Sequence, residues 1–409
     1  MSIADALKKW AVSHRFAGSS DRAQIAGILY DCERCKISAA WQMGKDDARS
    51  LILGMLKRIR KLPLTEIKLL YSGEKYAPAA LSAEELRNYE RDFPDHAASH
   101  IAGDYPIHLE SSIIRAFGMD VLENMQAMIV RAPLDLRVNL LKNERDHVFS
   151  SLIFKEKTKT LHSPWGIRIP LNDTKPPKIQ NDPAYLDGEI EIQDEGSQII
   201  SLLAGAYAGN TVIDLCAGGG GKTLALAAVM QNKGRLYAYD KYPKRLEPIR
   251  QRLSRAGATN VSVIFPDGSQ NFFINMAERA DLVVVDAPCS GSGTWRRSPE
   301  EKWTLTSDKI EKRVIDQITI LGQAAELTRS GGYIAYMTCS FFCEENDDVI
   351  ASFLKNRSDF SFMTPVSVLQ QAKKPSLENY ILLTKYGLML TPLKTGTDGF
   401  FLSVIKKNI

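Results

Sequence analysis

The amino-acid sequence predicts an α/β fold: a parallel sheet over residues 206–409, with a helical segment and a small α+β module ahead of it. Three observations carry this. From residue 206 onward, short apolar runs alternate with helix-length amphipathic ones, the pattern of strands joined by crossover helices. Before residue 125 the apolar positions recur at helical spacing. Between them, residues 211–230, TVIDLCAGGGGKTLALAAVM, read as a buried strand, a bare glycine turn and a helix.

Taken in order, residues 1–125 form the first domain. Residues 21–35 place Ile25, Ile28, Leu29 and Cys32 on one helical face. Residues 50–60 do the same and end in a basic cluster of Lys57, Arg58, Arg60 and Lys61, stopped by Pro63. Ser82 and Glu85 form a capping box that starts another helix. Residues 126–205 form the second part. A strand is expected over 136–141, then a lysine- and proline-rich stretch, then an apolar helix over 199–207. Residues 206–409 form the third. Strands are expected at 211–216, 235–240, 261–265, 281–286 and 333–337, with helices at 243–256 and 308–329 and an antiparallel strand at the C-terminal end.

The chain of 409 residues is long enough for two or three domains with sizeable cores. Its hydrophobic content of 44% excludes disorder throughout. No run reaches the roughly eighteen apolar residues of a membrane span, so a cytoplasmic protein is expected, with no membrane partner. Net charge is +4, but it is unevenly placed: +6 over residues 1–75, −6 over 76–130 and +5 over 131–180. Solvated helix faces account for such blocks, and so does an electrostatic footprint for nucleic acid. Six scattered cysteines are no disulfide framework, and Cys32 and Cys35 lack a second ligand pair, so no metal site is expected.

The glycine loop admits three ligand classes. A phosphate-binding P-loop needs glycine where Cys216 stands, so that pattern fails. A dinucleotide fingerprint fits Gly218 and Gly220 but meets Thr223 where the third small residue belongs. S-adenosylmethionine (AdoMet) needs an acid at the end of the next strand for its ribose hydroxyls, and Asp240 supplies one, though it would serve a dinucleotide equally well. Asp267 and Asp286 end the following strands, and the crevice rule gathers all three acids around one ligand. Cys289 and Cys339 lie just past two neighbouring strand ends. Two thiols at one rim beside an AdoMet site suggest attack on a ring that cannot otherwise accept a methyl group. The C5 position of cytosine is such an acceptor once a thiolate has added at C6.

DLCAGGGGKT (214–223), DAPCSGSGTWRRSPEEKW (286–303) and YMTCSFFCEEN (336–346), in this order and spacing, resemble the RNA cytosine-5 methyltransferases of the RsmB/NOP/Sun family. LRVN (136–139), QDEGSQ (193–198) and DGFF (398–401) extend the resemblance over residues 131–409, and RFAGSSDRAQIAGILY (15–30) more loosely resembles a NusB-like helical domain. The resemblance implies a Rossmann-like, class I AdoMet-dependent methyltransferase domain acting on RNA, ribosomal first and transfer second, as a monomer. It implies Cys339 as nucleophile and Cys289 as the group that aids release, with Asp286 and Lys222 at the target base. It implies that Cys216, Ala217, Gly218, Gly219, Gly220, Gly221, Lys222, Asp240, Arg245, Asp267 and Asp286 hold the cofactor, and that the parts ahead of residue 206 grip RNA. Gly218 and Gly219 stand where the family usually has Ala-Pro, which should loosen the loop. A catalytically silent RNA-binding assembly factor and a nicotinamide-dependent oxidoreductase are the competing readings. The two thiols count against both.

Overall fold

The computed structural model describes residues 3–171 and 177–409. Residues 172–176, part of the second basic block, lie outside them. Contacts group the chain into two compact units. One comprises residues 1–131 together with 294–305, and the other comprises 132–293 with 306–409.

The first unit is helical. Helices Ser19–Arg34, Lys36–Met43 and Ala48–Arg58 pack around Cys35, Ala39, Leu53 and Met55, all buried. Gly54 permits the closest crossing: a Cβ there would lie 2.4 Å from the Ala39 carbonyl oxygen, so no other residue fits. Ser82 caps Ala83–Glu90 with the expected reciprocal box through Glu85. Cys32 and Cys35 are buried thiols within this packing. Residues 294–305 complete the unit, although sequence assigns them to the sheet domain. Trp303 Nε1 donates to the Glu33 carbonyl at 2.9 Å, and Lys302 Nζ donates to the Arg34 carbonyl at 2.9 Å. Arg34 Nη2 returns a bond to the Arg296 carbonyl at 2.9 Å. The basic cluster is largely engaged inside the unit: Arg60 pairs with Asp31 at 2.7 Å, the Arg58 guanidinium lies 3.5 Å from the Phe93 ring centroid, and Lys57 lies over Tyr89.

The second unit holds two sheets. In the smaller, β1 (Leu134–Val138), β2 (Thr158–Lys159), β3 (Gly166–Ile169) and β4 (Ile190–Ile192) run in the order β2-β3-β1-β4. The first strand starts and ends earlier than expected because Asn139 turns the chain. Its Nδ2 donates to the Gly188 and Ala256 carbonyls, each at 2.8 Å, and its Oδ1 accepts from Leu141 N. The helix after β4 is Glu195–Leu203, earlier than expected because Asp194 caps it by accepting from Gly196 N at 2.7 Å.

The larger sheet contains β5 (Thr211–Asp214), β6 (Arg235–Tyr239), β7 (Val261–Ile264), β8 (Ala280–Asp286), β9 (Thr328–Thr338), β10 (Phe360–Phe362), β11 (Leu382–Leu383), β12 (Leu388–Leu390) and β13 (Phe400–Lys407). Its order is β11-β12-β13-β9-β8-β5-β6-β7, with β10 also paired to β13. Strands β5 to β9 pair in parallel, and β13 lies antiparallel to β9, as the alternation in the C-terminal stretch predicts. Val212, Ile213, Val283, Val284 and Ala335 are fully buried, so both faces are covered, as a central parallel sheet requires. The expected helix over 243–256 is two, Pro243–Leu246 and Ile249–Ala256, because Pro248 has no N–H to continue the first. The fold is the Rossmann-like one expected. Its strand order reverses between β5 and β8, which sets a crevice at their carboxyl ends.

Candidate active site

The glycine loop is shaped by the strands on both sides of β5. Leu215 N donates to the Val284 carbonyl on β8 at 2.9 Å, and Ala217 N donates to the Tyr239 carbonyl on β6 at 2.8 Å. The chain therefore swings across the strand ends before entering the helix Gly221–Val229. Gly220 has φ +86°, and a Cβ there would meet Ile249 Cγ1 at 2.6 Å, so glycine is required twice over. No side chain caps the helix, which leaves its first-turn N–H groups available to a ligand.

Asp240, 2% exposed, faces this loop from the end of β6. Its Oδ2 accepts from Gly218 N at 3.0 Å, its Oδ1 accepts from Tyr242 N at 2.9 Å, and Arg245 Nη1 lies 3.2 Å from Oδ2. The Arg245 side chain is half exposed and can move aside for a hydroxyl pair. Asp267 is exposed on the turn after β7 and joins none of these bonds. Cys216 is half-buried. Burial first, then the charges of Asp214, Asp286 and Asp240, push its thiol well above the usual range, so it stays protonated and packs.

Lys222 Nζ donates to Asp286 Oδ2 at 2.7 Å. Burial opposes the ammonium charge, but Asp286, Cys339 and Asp214 outweigh it and raise the lysine pKa. The ammonium also lies 5.4 Å from the Phe400 ring centroid. Beneath the pair, Asp214 is wholly buried and accepts from Thr223 Oγ1 at 2.6 Å, while its Oδ1 has no hydrogen-bond partner. Burial pushes this carboxyl up to about 7.

The thiols are in contact. Strands β8 and β9 pair through Asp286 and Met337, and the chain beyond each stays joined: Ala287 N donates to the Met337 carbonyl at 2.9 Å, and Gly293 N to the Cys339 carbonyl at 2.9 Å. Cys289 Sγ and Cys339 Sγ are 3.3 Å apart. The hydrogen bond to Cys339 first, then burial, hold the Cys289 thiol well above its usual range.

The structure thus joins Gly218, Asp240 and Arg245, joins Lys222 and Asp286, and joins Cys289 and Cys339. Asp267 stands apart from all of them. Sequence reasoning missed Arg137, which is buried and donates to Gln193 Oε1 at 2.5 Å and to the Gly221 carbonyl at 2.7 Å. It also missed Glu345 and Gln317, both fully buried under the Cys289 loop. LRVN, QDEGSQ and the glutamate of the third motif were the available signals, without any spacing rule to give them roles.

The profile of the family described as 16S rRNA methyltransferase RsmB/F matches residues 202–406, which is 205 of the chain's 409 residues. The chain is 28% identical to the probable ribosomal RNA small subunit methyltransferase B of Bacillus subtilis, over 71% of this chain and 64% of that protein. It is 28% identical to the 28S rRNA (cytosine-C(5))-methyltransferase of Mus musculus, over 80% of this chain and 41% of that protein. It therefore spans less than two thirds of either relative's length. The crystal structure of a methyltransferase homolog protein from Pyrococcus horikoshii superposes with a TM-score of 0.60 at 26% identity, over 76% of this chain and 97% of that one.

Proposed function

Because the chain belongs to the RsmB/F family of 16S rRNA methyltransferases, we propose that it methylates C5 of a cytosine in ribosomal RNA through a covalent Cys339–C6 bond. The observation that carries this is the pair of thiols 3.3 Å apart at the crevice rim, beside the Lys222–Asp286 ion pair. The cytosine-C(5) specificity in the mouse relative's name agrees with it.

AdoMet, bound, supplies the methyl group. The residues present suit it. The glycine backbone at 218–221 leaves room for close approach, and Asp240 offers a carboxylate to a ribose diol at the end of the adjacent strand. Cys216, Ala217 and Arg245 complete the rim of that cradle, and Asp267, exposed on the turn after β7, is assigned to the cofactor only by its place at a strand end.

Cys339 forms the bond to C6, which makes C5 a nucleophile. Lys222 and Asp286 face the base and steady the charge that builds on the ring. After methylation the proton on C5 must leave, and Cys289 accepts it. The Cys339 hydrogen bond is the largest cause of the raised Cys289 pKa. Once Cys339 is tied up as a thioether that cause is gone, so Cys289 becomes easier to ionise when a base is needed. Loss of the C5 proton then expels Cys339 and restores the ring.

Residues 1–125 and 126–205 serve RNA binding, and residues 206–409 serve catalysis. The target cytosine must be unpaired or flipped to expose its face to Cys339. The chain acts as a monomer in the cytoplasm. No helix among the described residues is long and apolar enough to cross a membrane. Bisulfite sequencing of ribosomal RNA from cells with and without the gene tests the reading. One cytosine is expected to lose protection in the deletion, and an unchanged map would refute it.

A further inference from the structure

Neighbouring residues on one short turn reach both thiol loops. Glu345 ends the turn Cys343–Glu345 and is fully buried beneath the Cys289 loop. Its Oε1 accepts from Ser290 N at 2.8 Å and its Oε2 from Ser290 Oγ at 2.5 Å. Gln317 Nε2 donates to Glu345 Oε1 at 3.2 Å and to the Pro288 carbonyl at 3.0 Å. The residues before and after Cys289 are therefore both held. Asn346 does the same for Cys339. Its Oδ1 accepts from Thr338 Oγ1 at 2.6 Å, and its Nδ2 donates to the Ser340 carbonyl at 2.9 Å. The two halves meet where Ser290 Oγ lies 3.2 Å from Ser340 Oγ, each serine following its own thiol.

We propose that Glu345 and Asn346 are positioning residues forming a two-sided clamp, Glu345 setting the release thiol Cys289 and Asn346 setting the nucleophile Cys339. The roles of the two thiols rest on the function proposed above. The contact between the thiols does not. The clamp lies inside the unit, away from solvent, where hydrogen bonds hold geometry most firmly. A buried carboxylate is a costly way to hold a loop, because its charge must be matched. Burial pushes the Glu345 carboxyl up while the bonds from Ser290 and Gln317 pull it back. Its charge also adds to the causes that keep Cys289 protonated, after Cys339 and burial. Glu345 thus serves Cys289 by position, while its charge works against ionisation of the thiol. Asn346 is neutral and offers Cys339 position alone.

Two measurements test this. In the first, diamide takes two hydrogens from the thiols and is reduced to its hydrazine as a Cys289–Cys339 disulfide forms, identified by peptide mapping. The full-length protein is expected to cross-link readily, and Glu345→Ala about tenfold more slowly, because small displacements of reacting atoms cost that much or more. In the second, single turnover with ribosomal RNA from cells lacking the gene follows adduct formation and release separately. Glu345→Ala is expected to form adduct within about threefold of wild type but release it about tenfold more slowly. Asn346→Ala is expected to slow adduct formation instead. Glu345→Gln, which keeps the bond from Ser290 N, is expected to recover most of the release rate. If both alanine variants slow both steps equally, or cross-link as fast as wild type, the clamp is refuted. Ser290→Ala, which deletes one hydroxyl, gives the same readings should Glu345→Ala fail to fold. If wild type cross-links but forms no adduct, the covalent reading falls and the clamp stands.

Discussion

Replacing Asp214 by asparagine should stabilise the sheet unit, and by more at high pH than at low. Asp214 lies at the end of β5, wholly buried, and its carboxyl is pushed up from 3.8 to about 7 by burial, against the lowering bond from Thr223. Between these two values the folded protein holds a proton that the unfolded chain does not. Stability from this group is complete below about 4 and is lost as pH rises through 7. At about 1.36 kcal/mol per pH unit, the whole loss is roughly 4 kcal/mol, and the part between pH 5 and 7 about 2.7 kcal/mol. Asparagine matches the protonated acid in shape. It can keep the Thr223 bond. The advantage of Asp214→Asn should therefore grow by about 2–3 kcal/mol from pH 5 to pH 8, or about 5 °C in melting temperature for a unit of this size. Differential scanning calorimetry of both proteins across that range measures it. A difference that does not change with pH would show that Asp214 is ionised in the fold at pH 5, and the argument from burial would be wrong.

Other perturbations have equally definite outcomes. Cys339→Ala should give neither adduct nor product, while Cys289→Ala should transfer the methyl group and stall as a protein–RNA adduct visible on denaturing gels; adduct in the first and none in the second would reverse the roles. Asp240→Ala should weaken AdoMet binding by roughly 1–3 kcal/mol in calorimetry, because a charged acceptor is lost from the ribose and the Gly218 amide loses its partner. Burial lowers the buried Lys302 ammonium from 10.5 to about 8, against the raising charges of Asp104 and Cys35. The fold then binds fewer protons than the unfolded chain, so the helical unit should gain about 2–3 kcal/mol as pH rises from 8 to 10 in chemical denaturation, and Lys302→Met should lose that gain.

The strands of the large sheet were legible because short apolar runs, rich in β-branched or aromatic residues and followed closely by Asp240, Asp267 and Asp286, leave little choice of period or direction. So was the meeting of Cys289 and Cys339, since both follow strands adjacent in this kind of sheet. What the sequence concealed is contact between distant residues with no periodic mark. Arg137 reaches Gly221, and Gln317 reaches Pro288, through folding alone. Pro248 is different, because its missing N–H was visible and still did not predict two helices; proline is tolerated in a first turn, and only the break in the structure places one there. The partners of the basic cluster at residues 57–61 were hidden for another reason. Charge counted along a chain does not show which guanidinium already has a carboxylate, as Arg60 has in Asp31.

The membership of residues 294–305 in the helical unit has a consequence for how the protein is made. That unit is assembled from two pieces of chain, residues 1–131 and a dozen residues that emerge from the ribosome after 162 more have been added. At the usual 5–20 residues per second the wait is roughly 8–30 s. During it, Arg34 lacks the Arg296 carbonyl, and the Arg34 and Glu33 carbonyls lack Lys302 and Trp303. The nascent helices therefore persist with these polar groups met by water until their final partners are made. The first unit to be translated cannot finish folding until residue 305 has emerged, and a chaperone or a paused ribosome has a long opportunity there.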